Sequence, residues 1–152
     1  MSIEKLPTGT RGGRNAPSFL ARIMTPIMVR VHRRAGDTFR GMDLLYVTTV
    51  GAKSGVSRTA PVARFDDGGD WLVVASAGGA TQHPSWYLNI VAHPDLVEVE
   101  VAGTTHKVKV DQLEGAEREQ AWAQVVARAP GFKGYLSKTD RELPVLRLHP
   151  LT

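Results

Sequence analysis

The sequence predicts a mainly β domain with flanking helices, six antiparallel strands closed into a small barrel. Three observations carry that class. Six short apolar or alternating runs lie between turn residues, the helical stretches are few and short, and one hairpin is written out by strict alternation about a glycine turn. At 152 residues the chain forms one domain with room for a sizeable core. The same pattern argues against a parallel Rossmann sheet.

Residues 1–16 are rich in Gly, Thr and Arg and read as a mobile basic arm ahead of a single domain over 17–152. From Pro17 the pattern turns helical, with Phe19, Ile23, Ile27 and Val31 recurring every fourth residue. Pro26 interrupts the run, and Thr25 before it is placed to cap a second helix. Arg22, Arg30, Arg33 and Arg34 fall to the polar side. Two placements fit this segment: its apolar stripe caps the barrel, or it lies on an anionic bilayer.

Leu44–Val50 and Arg58–Phe65 are the first two strands, and Asp66-Asp67-Gly68-Gly69 turns the chain into a third over Trp71–Ser76. Pro84 opens a short helix, with Trp86/Ile90 and Tyr87/Val91 at helical spacing, which stops before Pro94. Val97, Val99 and Val101 then alternate with Glu98 and Glu100, and Val108 and Val110 with Lys107 and Lys109. A type II′ turn at Gly103-Thr104 would set Val99 opposite Val108 and Glu100 opposite Lys107. Glu117–Arg128 is a helix, Ala129–Asp140 a loop, and Leu143–Leu148 the last strand.

Composition narrows the function. No uncharged apolar run of about 18 residues exists, the start lacks a secretory apolar core, and there is no cysteine for disulfide, thiolate metal site or nucleophile. The expected location is the cytoplasm, with a peripheral position at the inner face of the plasma membrane if the helical segment meets lipid. The five histidines show no metal-ligand spacing, so no metal is expected. Up to Arg40 there are eight basic and two acidic residues, against eleven and thirteen afterwards, so the positive charge belongs to the N-terminal part. It points to an anionic surface, not to nucleic acid, because no stacking aromatics are interleaved.

The informative stretch is Thr48–Asn89. After the first strand, Gly51 and Gly55 flank a turn bearing Lys53 and Ser54, with Ser57 and Arg58 just beyond. Two cations and several hydroxyls about a glycine turn suit a phosphate or carboxylate, although a solvated hairpin turn with ordinary surface cations fits equally. It is not a nucleotide P-loop, since Ala52 and Val47 stand where that motif requires glycine and a β-like run follows in place of a helix.

The motifs Thr48-Thr49-x-Gly51-x-Lys53-Ser54-Gly55-x-x-Arg58-x-x-Pro61, Ala75-Ser76-x-Gly78-Gly79, Pro84-x-Trp86-Tyr87-x-Asn89, Ala92-x-Pro94 and Thr139-Asp140-Arg141 stand in order along the chain. In them the sequence resembles the deazaflavin (F420)-dependent nitroreductase family of actinobacteria, split β-barrels related to the FMN-binding, pyridoxamine-oxidase-like fold. The resemblance spans residues 44–148 and implies hydride transfer from reduced F420 to a quinone-like, nitroaromatic or enone acceptor. It implies that Lys53, Ser54 and Arg58 hold the cofactor's phosphate tail. Ala75, Ser76, Ala77, Gly78 and Gly79 would run beside the ring, with Ala60, Pro61, Ser85, Trp86 and Asn89 completing the cofactor site. Ser76 and Tyr135 are then the catalytic candidates, and Ser76, Phe132 and Tyr135 bound the acceptor. For Tyr135 a loop aromatic covering the barrel mouth fits as well, and for Trp86 plain core packing. The family often has Lys where this chain has Ala77, and tyrosines where it has Ala129 and Phe132, so a quinone is at least as good an acceptor as a nitro compound. FMN in the same fold is the runner-up cofactor, and a non-catalytic deazaflavin-binding or membrane-surface protein the other alternative. The partners implied are a small-molecule acceptor and an anionic membrane surface, the protein being a monomer or homodimer.

Overall fold

The computed structural model describes residues 3–13, 18–34, 36–39 and 41–151, with the side chains of 18–25 and 39 outside that description. Along the chain come α1 (Ser18–Arg34), β1 (Thr38–Phe39), β2 (Met42–Val50), β3 (Ser57–Ala63), β4 (Phe65–Asp67) and β5 (Asp70–Val74). A 3-10 turn (Ala77–Gly79), α2 (Ser85–Ala92), β6 (Glu98–Val101) and β7 (Thr104–Gln112) follow. Then come α3 (Gly115–Arg128), a second 3-10 turn (Pro130–Phe132), α4 (Lys133–Lys138) and β8 (Val145–Pro150).

All strand pairs are antiparallel, in the order β3-β2-β6-β7-β8-β5-β4, with the two-residue β1 added at the start of β2. β3 and β4 stand on opposite margins, yet only Arg64 separates them in the chain. The sheet must therefore curl until its margins meet, which is the expected barrel. At the corner the Arg64 amide donates to the Asp43 carbonyl at 2.9 Å and its Nε to the Leu44 carbonyl at 3.2 Å. The corner also explains the strand count. The single run expected over Arg58–Phe65 is cut into β3 and β4, which together with the short β1 raises six strands to eight.

Two cores result. Leu45, Val47, Val73, Tyr87, Ile90, Val99, Val110, Leu146 and Leu148 fill the barrel, while Phe65, Leu72, Val74, Val125, Phe132, Leu143 and Val145 pack beneath α3. Neighbouring residues of β5 and β8 thus face different cores, which is why both strands read as unbroken apolar runs.

The hairpin register differs from expectation by one turn position. Glu98 pairs with Lys107 and Val101 with Thr104, so the two turn residues are Ala102 and Gly103, at φ 49° and 85°. Both lie in the left-handed region, as a type I′ turn requires. Parity is kept, so Val97, Val99, Val108 and Val110 are still buried.

Three further expectations change. Helix α1 runs through Pro26 without a break. Its inward residues are Val29 and His32, whereas Ile27 and Val31 are 49% and 57% exposed, so at these positions the four-residue apolar repeat faces outward. The Ala129–Asp140 loop contains the 3-10 turn and α4, nucleated locally despite Gly131 and Gly134. Residues 3–13 of the expected mobile arm lie along the domain: Ile3 is buried, Gly9 donates to the Thr81 carbonyl at 2.8 Å, and Gly13 and Thr81 bond at 3.0 Å. The boundary expected between residues 16 and 17 falls outside the described residues.

The turn assignment is testable. Ala102→Asn, which tolerates the left-handed conformation, should stabilise the protein by about 0.5–1 kcal/mol in urea unfolding. Thr104→Asn should not, and the opposite ranking would restore the Gly103-Thr104 turn.

Candidate functional site

Strands β2 and β3 deliver Lys53, Ser54 and Arg58 to one hairpin end, where Thr49 pairs with Arg58 and Val50 with Ser57. Gly51 is required there because a Cβ would collide with Ser54 Oγ, which accepts the Val56 amide at 3.2 Å. The turn's shape is locked from below by Asn89 of α2. Its Oδ1 accepts the Ala52 amide at 3.0 Å and its Nδ2 donates to Thr49 Oγ1 at 3.1 Å. Asn89 is buried and both polar ends are engaged, so it braces the turn from behind.

The Gly51, Ala52, Gly55 and Val56 amides are all bonded within this arrangement, which leaves those of Lys53 and Ser54 as donors without a partner among the described residues. Lys53 and Arg58 likewise make no ion pair or hydrogen bond to a described residue. Two such amides and two such cations at one turn have the chemistry that suits a phosphate-like anion. Ala60 and Pro61 follow on β3, opposite Val47 and Tyr46. Trp86 is half-buried and packs on the barrel core, while Ser85 is exposed at the start of α2.

The second half of the site is the loop after β5. Ala77, Gly78 and Gly79 have φ of 47°, 62° and 82°, a left-handed run that costs energy at Ala77. Arg141, 3% exposed, holds this loop. It donates to the carbonyls of Ala75 at 3.0 Å, Ser76 at 2.5 Å and Ala80 at 2.9 Å, and Nη1 also faces His83 Nδ1 at 2.8 Å. Arginine has no acceptor, so His83 Nδ1 is unprotonated and Nε2–H donates to the Leu6 carbonyl at 2.8 Å. Burial, and then the nearby Arg141 charge, hold the His83 pKa below its usual value. Burial lowers that of Arg141 as well.

Residues 9–13 lie beside the same loop. The Asp140 carboxylate accepts the Thr10 amide at 2.8 Å, the Arg11 amide at 2.9 Å and the Thr10 hydroxyl, and these bonds lower its pKa from 3.8 to about 2. Helix α4 adjoins the 3-10 turn and carries Tyr135, half-buried, whose hydroxyl meets no described partner. Phe132 is 6% exposed, set edge-on between Phe65 at 5.7 Å and Tyr135 at 5.3 Å, so it backs Tyr135 from the core and offers no open wall.

Helix α4, which carries Tyr135, thus adjoins the Ala77–Gly79 turn that follows Ser76, and of that turn Gly78 is the exposed glycine, while the β2–β3 turn is formed by the other strand pair. Arg141 and His83 escaped sequence reasoning as functional residues. Asp140 and Arg141 were visible only as a matching motif, without the hydrogen bonds, exposed at Asp140 and buried at Arg141, that give them a role. No group of three or more metal-ligating side chains occurs among the described residues. A cofactor with an anionic tail and a flat ring fits what is present: the tail finds two unpaired cations and two amides, and a Cβ at Gly78 would meet open space, leaving room for a ring.

Comparison with known proteins is consistent with this geometry. The family model described as F420H(2)-dependent quinone reductase matches residues 20–150. An F420H(2)-dependent quinone reductase of Mycobacterium tuberculosis is 35% identical over 134 residues, covering 85% of this chain and 89% of its own. A solved F420-H2 dependent reductase (FDR-A) is 39% identical over 70% of this chain and 93% of its own, with a TM-score of 0.63. A structure described as a domain-swapped dimer is 34% identical, covers 88% and 100%, and has a TM-score of 0.65.

The His83–Arg141 contact predicts a pH dependence. With the native pKa below 6.5, the unfolded chain takes up the proton first as pH falls. The contribution is complete above 6.5 and shrinks as pH drops below it. His83→Gln, which keeps a donor and an acceptor, should flatten the loss of stability between about pH 7 and pH 5 in denaturant titrations. An unchanged slope would remove the assignment.

Proposed function

Because this chain belongs to the family of F420H(2)-dependent quinone reductases, we propose that it moves a hydride from reduced F420 to a lipid-soluble quinone. F420, not FMN, is the cofactor of that family. The observation that carries the site is the pair of unpartnered cations, Lys53 and Arg58, on a turn that buried Asn89 holds rigid. A rigid turn gives up little freedom on binding, so its charge-assisted contacts count nearly in full.

When bound, the cofactor supplies a carbon-centred hydride donor restricted to two-electron chemistry. The chain's residues do the rest. Lys53, Ser54 and Arg58 hold the acidic tail. Exposed Gly78, with no side chain, lets the ring approach the backbone, and Trp86 and Pro61 keep water from one side. Ser76, whose carbonyl Arg141 grips at 2.5 Å, presents a hydroxyl toward the acceptor. Tyr135 stands at the same mouth.

Helix α1 favours a membrane-borne acceptor. Ile27 and Val31 face outward, flanked by exposed Arg30 and Arg34, a pattern suited to an anionic lipid surface. This reading places the protein peripherally at the inner leaflet. The domain-swapped relative favours a homodimer over a monomer.

Reduced F420 mixed with protein and menadione should be reoxidised at a rate proportional to enzyme, and tight binding without reoxidation would leave only a binding module. Lys53→Ala and Arg58→Ala should each weaken F420 binding by about 1.5–3 kcal/mol, roughly 10- to 100-fold by calorimetry. Wild-type affinity in both variants would overturn the tail site. Ile27→Asp with Val31→Asp should abolish sedimentation with anionic liposomes and leave menadione turnover unaffected.

A further inference from the structure

We propose that Lys138 is a catalytic residue of this site, supplying the positive charge and the proton that the acceptor needs as hydride arrives; the inference rests on the quinone-reductase reading above. A neutral quinone that accepts a hydride becomes a hydroquinone monoanion, and the site needs a cation where that charge appears. Ser76 and Tyr135 offer only neutral hydroxyls.

Among the described residues, several of the cations around this mouth are already engaged. The Arg141 guanidinium is bonded to three carbonyls and His83, and is buried. Arg11 donates Nη1 to the Ser137 carbonyl at 2.7 Å. Lys53 and Arg58 belong to the other turn, on the tail. Lys138, in the last turn of α4, makes no ion pair or hydrogen bond to a described residue.

Its position is nevertheless defined. A Cβ on Gly79 would meet Lys138 Cβ at 3.0 Å and Cδ at 3.3 Å, so the lysine stem lies directly on the glycine that the turn leaves bare. Its Nζ stands 6.0 Å from the Tyr135 ring centroid, within range of the ring's negative face. Stem and head are thus both guided, one by the turn beside the cofactor's ring and the other by the aromatic at the acceptor's edge. The ammonium is also exposed and can regain a proton from solvent. The balance closes: the hydride would leave the donor with both electrons of its C–H bond and form an O–H bond at one quinone oxygen, leaving the other oxygen as the anion. A Lys138 N–H bond then breaks, an O–H bond forms on the hydroquinone, and water returns the proton to the amine.

Lys138→Met keeps a long unbranched stem over Gly79 and removes the charge; Lys138→Arg keeps the charge. With menadione, Lys138→Met should lower kcat at least about tenfold, with KM and the F420 dissociation constant within about twofold of wild type, and Lys138→Arg should recover most of the rate. A second readout needs no turnover. Protein without F420 should bind 2-hydroxy-1,4-naphthoquinone, which is ionised at neutral pH, more tightly than uncharged 1,4-naphthoquinone. Lys138→Met should erase about tenfold of that preference and leave the neutral ligand's affinity unchanged. A variant matching wild type in both kcat and anion preference overturns the proposal. Wild-type protein that binds F420 but reduces no quinone sinks the functional reading instead, and the anion preference then decides the role of Lys138 alone.

Discussion

Arg141 sits where a charge is expensive, and no carboxylate among the described residues pairs with it. Its donors engage three carbonyls of one loop and a neutral histidine. That choice makes the guanidinium a template. A loop whose backbone turns left-handed three times running needs its carbonyls held from within, and a planar fork with fixed donor directions holds them better than a flexible ammonium would. Through His83 the same group reaches the Leu6 carbonyl, so the N-terminal segment, the loop after β5 and the run into β8 share one buried centre.

Around that centre the labour of the site divides. The hairpin joining β2 and β3 carries fixed charge on a braced turn and suits a ligand's tail. The loop after β5 has almost no side chains and suits its flat part, while α4 brings an aromatic and an exposed cation to the open edge. Each half depends on a buried amide or guanidinium set back from the surface, Asn89 in one and Arg141 in the other. On the proposed reading, affinity and reactivity would vary independently, one through Lys53 and Arg58, the other through the groups around Ser76.

The sequence was legible where a pattern is local and one-dimensional. The glycine-flanked turn, the valine alternation, the stop before Pro94 and the strands of the barrel all follow from periodicity and turn chemistry. It was misleading where two local rules competed. Gly103-Thr104 and Ala102-Gly103 are both acceptable two-residue turns, and the folded hairpin uses the second. The repeat in α1 shows a stripe without saying which way it faces, and Ile27 and Val31 turn out to face away from the domain. Asn89, Phe132 and Arg141 are ordinary letters in sequence; their parts depend on which neighbours the closed barrel brings within reach.

The strand order carries a consequence for how such a chain comes to be built. β8 is the latest of the described strands to be synthesised, yet it lies between β7 and β5, inside the row. Until it inserts, both neighbours present unsatisfied hydrogen-bonding rims, and the ring cannot shut. A barrel short of that one strand would be completed as well by the same strand from a second copy of the chain, so the central place of β8 is also the natural point of exchange between copies.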